Sequence, residues 1–239
     1  MGTKRRKQDK EFPSWLRAIP RDGVIQYYGF RRKGKTRCAW GLAEWMHRKS
    51  DRPVVAYKFP KKLRHLLPSW VKFADSTEAL ERLRGYIIVA DEMAREVIAR
   101  DHQSETNKEW IKLLAIVGQY GHLLISISQH SRQIDVGLVM DPDLVIFKQP
   151  SLLHIRFARP ELRPEIQEAF DRFAGCKGDP RRWAFIVDFH RGRKGFLRSY
   201  TPSFWSEELS TAYALAALKA EEKGGAKRSP KSMRNHLRA

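Results

Sequence analysis

Residues 24–36 read Val24-Ile25-Gln26-Tyr27-Tyr28-Gly29-Phe30-Arg31-Arg32-Lys33-Gly34-Lys35-Thr36. The β-branched and aromatic first part is typical of a strand, and a helical pattern begins near Arg37. Between them stands G-x-x-x-x-G-K-T, which in a strand–loop–helix context is the phosphate-binding loop of nucleoside triphosphatases. An accidental match in an ordinary loop is the alternative, and the flanking strand and helix argue against it.

Each residue type in this loop has a physical role in binding a triphosphate. The glycines let the backbone curl so that its N–H groups point at phosphate oxygens, and the dipole of the next helix adds positive potential. Lys35 is expected to bridge the β- and γ-phosphates of ATP, and the Thr36 hydroxyl to ligate Mg²⁺. The predicted nucleotide-binding residues are Gly29, Phe30, Arg31, Arg32, Lys33, Gly34, Lys35, Thr36 and Arg37.

The composition describes a strongly basic chain of 239 residues. Its 46 Lys and Arg against 27 Asp and Glu give a formal net charge of +19. Such a charge indicates a polyanionic partner, with nucleic acid as the first candidate and a merely basic surface as the alternative. Charge alone attracts phosphate backbones without sequence preference, so it does not distinguish DNA from RNA.

Several classes of protein are excluded by composition. A hydrophobic content of 42% is that of a folded chain, and no apolar run reaches the roughly 20 residues that cross a bilayer. The basic start of the chain lacks the apolar core of a signal peptide. The two cysteines, Cys38 and Cys176, provide neither a disulfide framework nor a zinc quartet. A location in the cytoplasm, or in a virion if the protein is viral, is expected.

Apolar segments alternate with helical patterns along the chain, which predicts an α/β fold with a mostly parallel sheet covered by helices on both faces. The predicted strands of this part are Val24–Tyr28, Val54–Tyr57, Gly85–Ala90, Leu123–Ser128 and Leu144–Phe147. The helices that follow the first one are predicted at Ser76–Arg84 and Glu105–Tyr120. After Ser151 the pattern predicts a strand at Leu153–Phe157, a helix at Arg163–Phe173, a strand at Arg182–Asp188 and a helix at Phe204–Lys219.

These elements suggest four regions. Residues 1–14 form a flexible basic N-terminus, and residues 15–150 form the P-loop core. Residues 151–220 form a small α+β extension packed on that core, and residues 221–239 form a disordered basic tail.

Asp91 and Glu92 follow the unbroken apolar run Ile87–Ala90 directly. Ligands of open α/β sheets bind at the carboxyl ends of the strands, so Asp91 is expected to hold Mg²⁺ and Glu92 to polarise the attacking water. The alternative is an acidic pair that only caps the next helix. The doublet favours ATP hydrolysis over a small-molecule kinase or a GTPase, which usually lack it.

Gln129 follows the strand Leu123–Ser128 and is a candidate sensor that reaches the γ-phosphate or the lytic water. An ordinary polar residue at a strand end is the alternative. Arg132 is a candidate arginine finger acting on a neighbouring subunit, but it also suits an ion pair with Asp135 or a DNA contact. Arg95 and Arg100 compete with it for the finger role.

Three segments together resemble the FtsK/HerA superfamily of DNA-pumping ATPases: Gly29–Thr36, Tyr86–Glu92 and His122–Asp135. The most family-like feature is a strand ending in Ser128-Gln129, followed by Arg132-Gln133-Ile134-Asp135. The chain looks similar to compact viral genome-packaging ATPases and to zonula occludens toxin-like proteins of filamentous phages. The lack of a membrane-spanning segment favours the packaging type.

The resemblance implies a RecA-like ASCE core with strand order 5-1-4-3-2. It also implies an ATP- and Mg²⁺-dependent ring, commonly a hexamer, that threads double-stranded DNA, with capsid or membrane proteins as further partners. Lys35, Thr36, Asp91, Glu92 and Gln129 carry over by matching position, whereas the arginine finger does not. The basic segment Lys61-Lys62-Arg64 is a candidate DNA contact or a solvated surface. The alternative functions are a nucleotide-dependent switch or DNA-partitioning adaptor and, disfavoured by Asp91-Glu92, a nucleotide kinase.

Overall fold

The computed structural model describes residues 19–91, 103–128 and 142–212, with side chains described from residue 111 onward in the second range. The strands are β1 (Gly23–Tyr28), β2 (Val54–Tyr57), β3 (Val71–Ala74), β4 (Ile87–Asp91), β5 (Leu123–Ile127), β6 (Leu144–Phe147), β7 (Trp183–Asp188) and β8 (Arg193–Arg198). The helices are α1 (Lys35–Ser50), α2 (Thr77–Glu81), α3 (Gln103–Gln119), α4 (Leu152–Arg156) and α5 (Arg163–Ala174), with 3-10 turns at Lys61–Leu66, Pro160–Leu162 and Pro180–Arg182.

All of these strands belong to one sheet of eight strands in the order β3-β2-β4-β5-β1-β6-β7-β8. The strands from β3 to β6 pair in parallel, and β7 and β8 continue the sheet as antiparallel strands. If the edge strand β3 is left out, the parallel strands counted along the chain lie in the order 5-1-4-3-2. The predicted α/β class and this strand order are therefore confirmed.

The parallel strands are buried on both faces, which is why they read as unbroken apolar runs. On one face, Ile25 and Tyr27 of β1 share a core with Trp40 of α1. On the other face, Val24 and Tyr28 share a second core with residues of α3 and α5. The sheet is thus covered on both sides, and its strand ends are held at fixed positions.

The part of the chain after residue 150 adds to this sheet rather than forming a sheet of its own. Strand β7 pairs with β6, and Ile166, Ala169 and Phe173 of α5 lie in the second core. The division into a core and an extension at residue 150 stays a prediction. No helix within the described ranges has the length and apolar character needed to span a membrane.

The predicted strand at Leu153–Phe157 is wrong, because these residues lie in helix α4 and the turn after it. Ser151 caps this helix, with its Oγ 2.7 Å from Nδ1 of His154, and such a local cap outweighs the weak strand pattern. Strands β3 and β8 were not predicted. Both are edge strands with exposed basic residues that interrupt the apolar alternation. The predicted helix at Phe204–Lys219 begins later than expected: residues 204–206 are not helical, residues 207–212 are helical, and residues 213–219 lie outside the described residues.

Helix α1 packs closely against the segment that follows β8. A Cβ at Gly41 would lie 2.3 Å from the carbonyl oxygen of Tyr200. One turn later the buried Glu44 accepts hydrogen bonds from the backbone N–H of Ser203 at 2.8 Å and from Arg48 Nη2 at 2.6 Å. The extension is therefore joined to the helix that carries the end of the phosphate-binding loop.

This packing predicts that Gly41→Ala destabilises the protein. In a helix interior, alanine is favoured over glycine by about 1 kcal/mol, but here the new methyl group meets a backbone carbonyl, and overpacking of this kind costs about 1–3 kcal/mol. The matched control is Gly118→Ala in α3, where a Cβ meets nothing within 4 Å. Chemical denaturation should show a lower free energy of unfolding for the first variant and an unchanged or higher one for the second. Equal stabilities would mean that the Tyr200 segment does not pack on α1.

Candidate active site

The loop between β1 and α1 curls at the carboxyl end of the sheet. Three of its residues have positive φ: Gly29 (145°), Arg32 (58°) and Gly34 (82°). Gly34 is the N-cap residue of α1, so the loop ends where the helix presents its free backbone N–H groups. This backbone shape is the one that the glycines of the motif permit. At Arg32 the same conformation costs a non-glycine residue about 1 kcal/mol.

Both glycines also lie against backbone carbonyls of neighbouring segments. A Cβ at Gly29 would lie 2.5 Å from the carbonyl oxygen of Lys148, and a Cβ at Gly34 would lie 3.2 Å from that of Arg181. Side chains at these two positions would therefore push the loop away from its supports.

Lys35 lies across the opening of the loop. Its ammonium donates hydrogen bonds to the carbonyl oxygens of Gly29 at 2.8 Å and Phe30 at 3.1 Å. The side chain is only 7% exposed. A compact cation is thus held among the backbone groups that are expected to surround the phosphates.

Thr36 and Asp91 come together from different elements. The Thr36 hydroxyl, in the first turn of α1, donates to Asp91 Oδ2 at 2.7 Å, and the Asp91 side chain at the end of β4 is 6% exposed. A hydroxyl and a carboxylate are hard oxygen donors, which fit Mg²⁺. In the described ranges no group of three or more His, Cys, Asp and Glu side chains forms a metal site. Mg²⁺ is commonly held by one or two protein oxygens together with phosphate and water, so Thr36 and Asp91 would suffice as its protein ligands.

Glu92, Gln129 and Arg132 lie outside the described residues, as do the alternative finger residues Arg95 and Arg100. Their roles stay predictions. Asp91 is paired with Ile127 on the neighbouring strand β5, so the described parts of these two strands end side by side. In the sequence, Glu92 follows Asp91 directly and Gln129 follows Ile127 by two positions.

The surroundings of the loop are strongly positive. Arg31 and Arg32 are exposed, and the first turn of α1 contains no acidic residue. Burial lowers the pKa of Arg37, and the nearby Arg181 and Arg182 add to that effect against the opposing charge of Asp179. This crowding of cations suits a polyanion such as a triphosphate.

The predicted DNA-contact segment Lys61-Lys62-Arg64 lies in a 3-10 turn after β2. Arg64 and Lys61 both form ion pairs with Asp75, the latter at 3.6 Å. Part of the positive charge of this segment is therefore neutralised within the chain.

Sequence reasoning missed three groups beside the loop: the side chains of Gln26 and Lys148 and the backbone of Arg181. Gln26 is fully buried in β1, and its Nε2 donates to Ser128 Oγ at 3.3 Å, just before Gln129. A polar residue within a strand, or directly after one as at Lys148, is a sequence signal that could have found the first two. A backbone carbonyl leaves no such signal.

Neither family models nor curated protein sequences match this chain. Solved structures do share its fold. The genome-packaging NTPase B204 from Sulfolobus turreted icosahedral virus 2, in complex with ATP-gammaS, matches with a TM-score of 0.54 and 13% identity over 76% of this chain and 100% of that one. Its complex with AMP matches with a TM-score of 0.54, 12% identity, and 76% and 99% coverage. B204 from Sulfolobus turreted icosahedral virus matches with a TM-score of 0.50, 11% identity, and 75% and 98% coverage. At these identities the likeness establishes the RecA-like P-loop fold.

Proposed function

We propose that this protein is a Mg²⁺-dependent ATPase that moves double-stranded DNA, in the manner of viral genome-packaging motors of the FtsK/HerA type. The observation that carries the proposal is that Lys35, Thr36 and Asp91 lie together at the carboxyl ends of the parallel strands. The proposal is supported by the shared fold with a packaging NTPase, whose solved complexes contain ATP-gammaS and AMP. The net charge of +19 also supports it.

Different residues of the site bind different parts of the Mg²⁺–ATP complex. Backbone N–H groups of the loop surround the phosphates, apart from that of Phe30, which donates to the Gln149 carbonyl. Lys35 exchanges its loop carbonyls for phosphate oxygens. Thr36 and Asp91 hold the metal ion, which when bound neutralises charge on the β- and γ-phosphates.

Hydrolysis needs groups beyond this binding site. Glu92 accepts a proton from the attacking water, and Gln129 orients that water or the γ-phosphate. An arginine from a neighbouring subunit, with Arg132 as the first candidate, stabilises the charge of the transition state. This last role requires a ring, and a hexamer is the expected form.

The proposed partner is a nucleic acid, because a surface of this charge gains affinity by displacing counterions from a phosphate backbone. Double-stranded DNA is favoured over RNA because a solved structure of the same fold is a DNA-packaging ATPase. Capsid or membrane proteins are further candidates if the protein works in virus assembly. Its expected location is then the host cytoplasm or the virion.

ATPase assays with and without duplex DNA test this function. We expect duplex DNA to raise the ATPase rate several-fold, and the stimulation to fall as salt rises, because phosphate contacts are salt-dependent. Heparin is the control, because it is a polyanion without a DNA duplex and should not raise the ATPase rate to the same extent.

An ATPase rate unchanged by DNA of any length would contradict translocation. ATP binding without DNA-stimulated turnover would instead favour a switch or partitioning adaptor. Sizing with and without ATP tests the ring, since a strict monomer has no neighbour to supply an arginine.

A further inference from the structure

Lys148 is a fully buried cation directly after β6. Its ammonium donates hydrogen bonds to the carbonyl oxygens of Arg181, at 3.0 Å, and Trp183, and to Ser199 Oγ at 3.2 Å. All three acceptors are neutral, and in the part of the chain that the structure describes no carboxylate forms an ion pair with it. Burying a cation without a counter-charge is costly, so the position of this lysine calls for an explanation beyond packing.

The backbone at Lys148 supports the first end of the phosphate-binding loop. Its N–H donates to the carbonyl oxygen of Tyr28 at 2.7 Å, and Phe30 N–H donates to that of Gln149 at 3.2 Å. The Lys148 carbonyl is also the group that leaves no room for a Cβ at Gly29. The segment after β6 thus lies along the loop where the loop leaves β1.

The side chain of Lys148 reaches the support of the other end of the loop. This support is the 3-10 turn Pro180–Arg182, called here the bracing turn. Its Arg181 carbonyl lies beside Gly34 and accepts a hydrogen bond from Arg37 Nη2 at 2.5 Å, and Ser199 Oγ donates to it at 3.4 Å. One carbonyl therefore joins the ammonium of Lys148 to the end of the loop and the first turn of α1.

We propose that Lys148 is a positioning residue for nucleotide binding, whose buried ammonium holds the bracing turn against the loop and so fixes both ends of Gly29–Thr36. It acts through Gly29, Gly34 and Arg37 rather than by touching a phosphate. The inference rests on the proposed nucleotide-binding function. The shape of the phosphate-binding loop would then depend on Lys148, a residue that lies outside the sequence motif.

The protonation of Lys148 gives this idea a distinctive readout. Burial lowers its pKa to about 8, while Cys38 and Asp179 oppose that shift and Arg37 adds to it. An ammonium has three N–H donors for its three acceptors, whereas a neutral amine has two. As pH rises through about 8, the folded protein loses this proton and one of the three hydrogen bonds. Nucleotide affinity is therefore expected to be full below that pH and to fall above it.

The test is Lys148→Met, which keeps the apolar stem of the side chain and removes the ammonium. Calorimetric binding of ATP-gammaS at pH 7 should be about tenfold weaker, as expected when charge-assisted hydrogen bonds are lost. The fall in affinity near pH 8 seen with the wild-type protein should be absent. The control is Lys72→Met in the edge strand β3, which removes the hydrogen bond from Lys72 Nζ to Tyr86 Oη. It should change neither the affinity nor its pH profile.

Two further measurements keep the outcome decisive. Ser199→Ala removes one of the three acceptors of the Lys148 ammonium and should weaken ATP-gammaS binding by a smaller factor than Lys148→Met. It replaces Lys148→Met as the test if that variant does not fold. Hydrogen exchange of the amides of residues 29–37, without nucleotide, should be faster in Lys148→Met than in the wild type or Lys72→Met. If the wild type binds no ATP-gammaS, the proposed function fails, and the exchange rates alone decide whether Lys148 positions the loop. Unchanged affinity, pH profile and exchange would overturn the inference.

Discussion

Lys35→Ala is expected to remove ATP hydrolysis, with a loss in kcat of at least about 1,000-fold, the scale found when a cationic or hydrogen-bonding contact to the transition state is deleted. Lys35 is 7% exposed, and its ammonium is held by the carbonyls of Gly29 and Phe30. ATP affinity should fall as well, because the same ammonium contacts the bound phosphates.

The matched control is Lys49→Ala, which removes an exposed lysine from the last turn of the same helix. Steady-state phosphate release and ATP-gammaS binding should be normal for this variant. Thermal melts of both variants separate lost chemistry from lost folding. Normal turnover by folded Lys35→Ala would show that Gly29–Thr36 is not the phosphate site.

Glu92→Gln is expected to stop hydrolysis while leaving ATP bound. The substitution keeps the size of the side chain and removes its ability to accept a proton, and general-base catalysis contributes about 100- to 10,000-fold. In the proposed site, ATP is bound through Lys35, Thr36 and Asp91, which the substitution leaves in place. Single-turnover hydrolysis should therefore fall to this extent while the Kd for ATP stays within a few-fold of the wild-type value.

Glu208→Gln makes the same change at an exposed position on the extension and should leave both quantities unchanged. If Glu92→Gln hydrolyses ATP at the normal rate, another residue is the base, and the assignment of the Asp91-Glu92 pair is wrong. If it loses ATP binding as well, Glu92 supports the metal ion rather than the water.

The elements of the parallel sheet were predictable because their signals are local. Strand β1 and the loop follow from thirteen consecutive residues, and α1 follows from the helical pattern that begins near Arg37. Strand β4 follows from an apolar run that ends in an acidic pair. Strands buried on both faces leave such runs in any sequence. The strand order 5-1-4-3-2 came from the resemblance, since local patterns do not determine which strands become neighbours.

The part of the chain after residue 150 was predicted less well. Leu153–Phe157 was assigned to a strand, but the Ser151 cap begins a short helix there. Strand β8 was missed because three of its six residues are both basic and exposed, so its pattern resembles a loop. Edge strands pair on one side only and are under less pressure to be apolar.

The sequence by itself determined which residues can carry the chemistry, because Gly29, Lys35, Thr36 and Asp91 are recognised by residue type and by their place at strand ends. Only the tertiary structure decided what holds them in position. Arg181 lies 33 residues from Lys148, yet its carbonyl contacts the ammonium of Lys148 and lies beside Gly34. A backbone carbonyl is the same in every residue, so its role follows from where the chain passes and not from which residue is there.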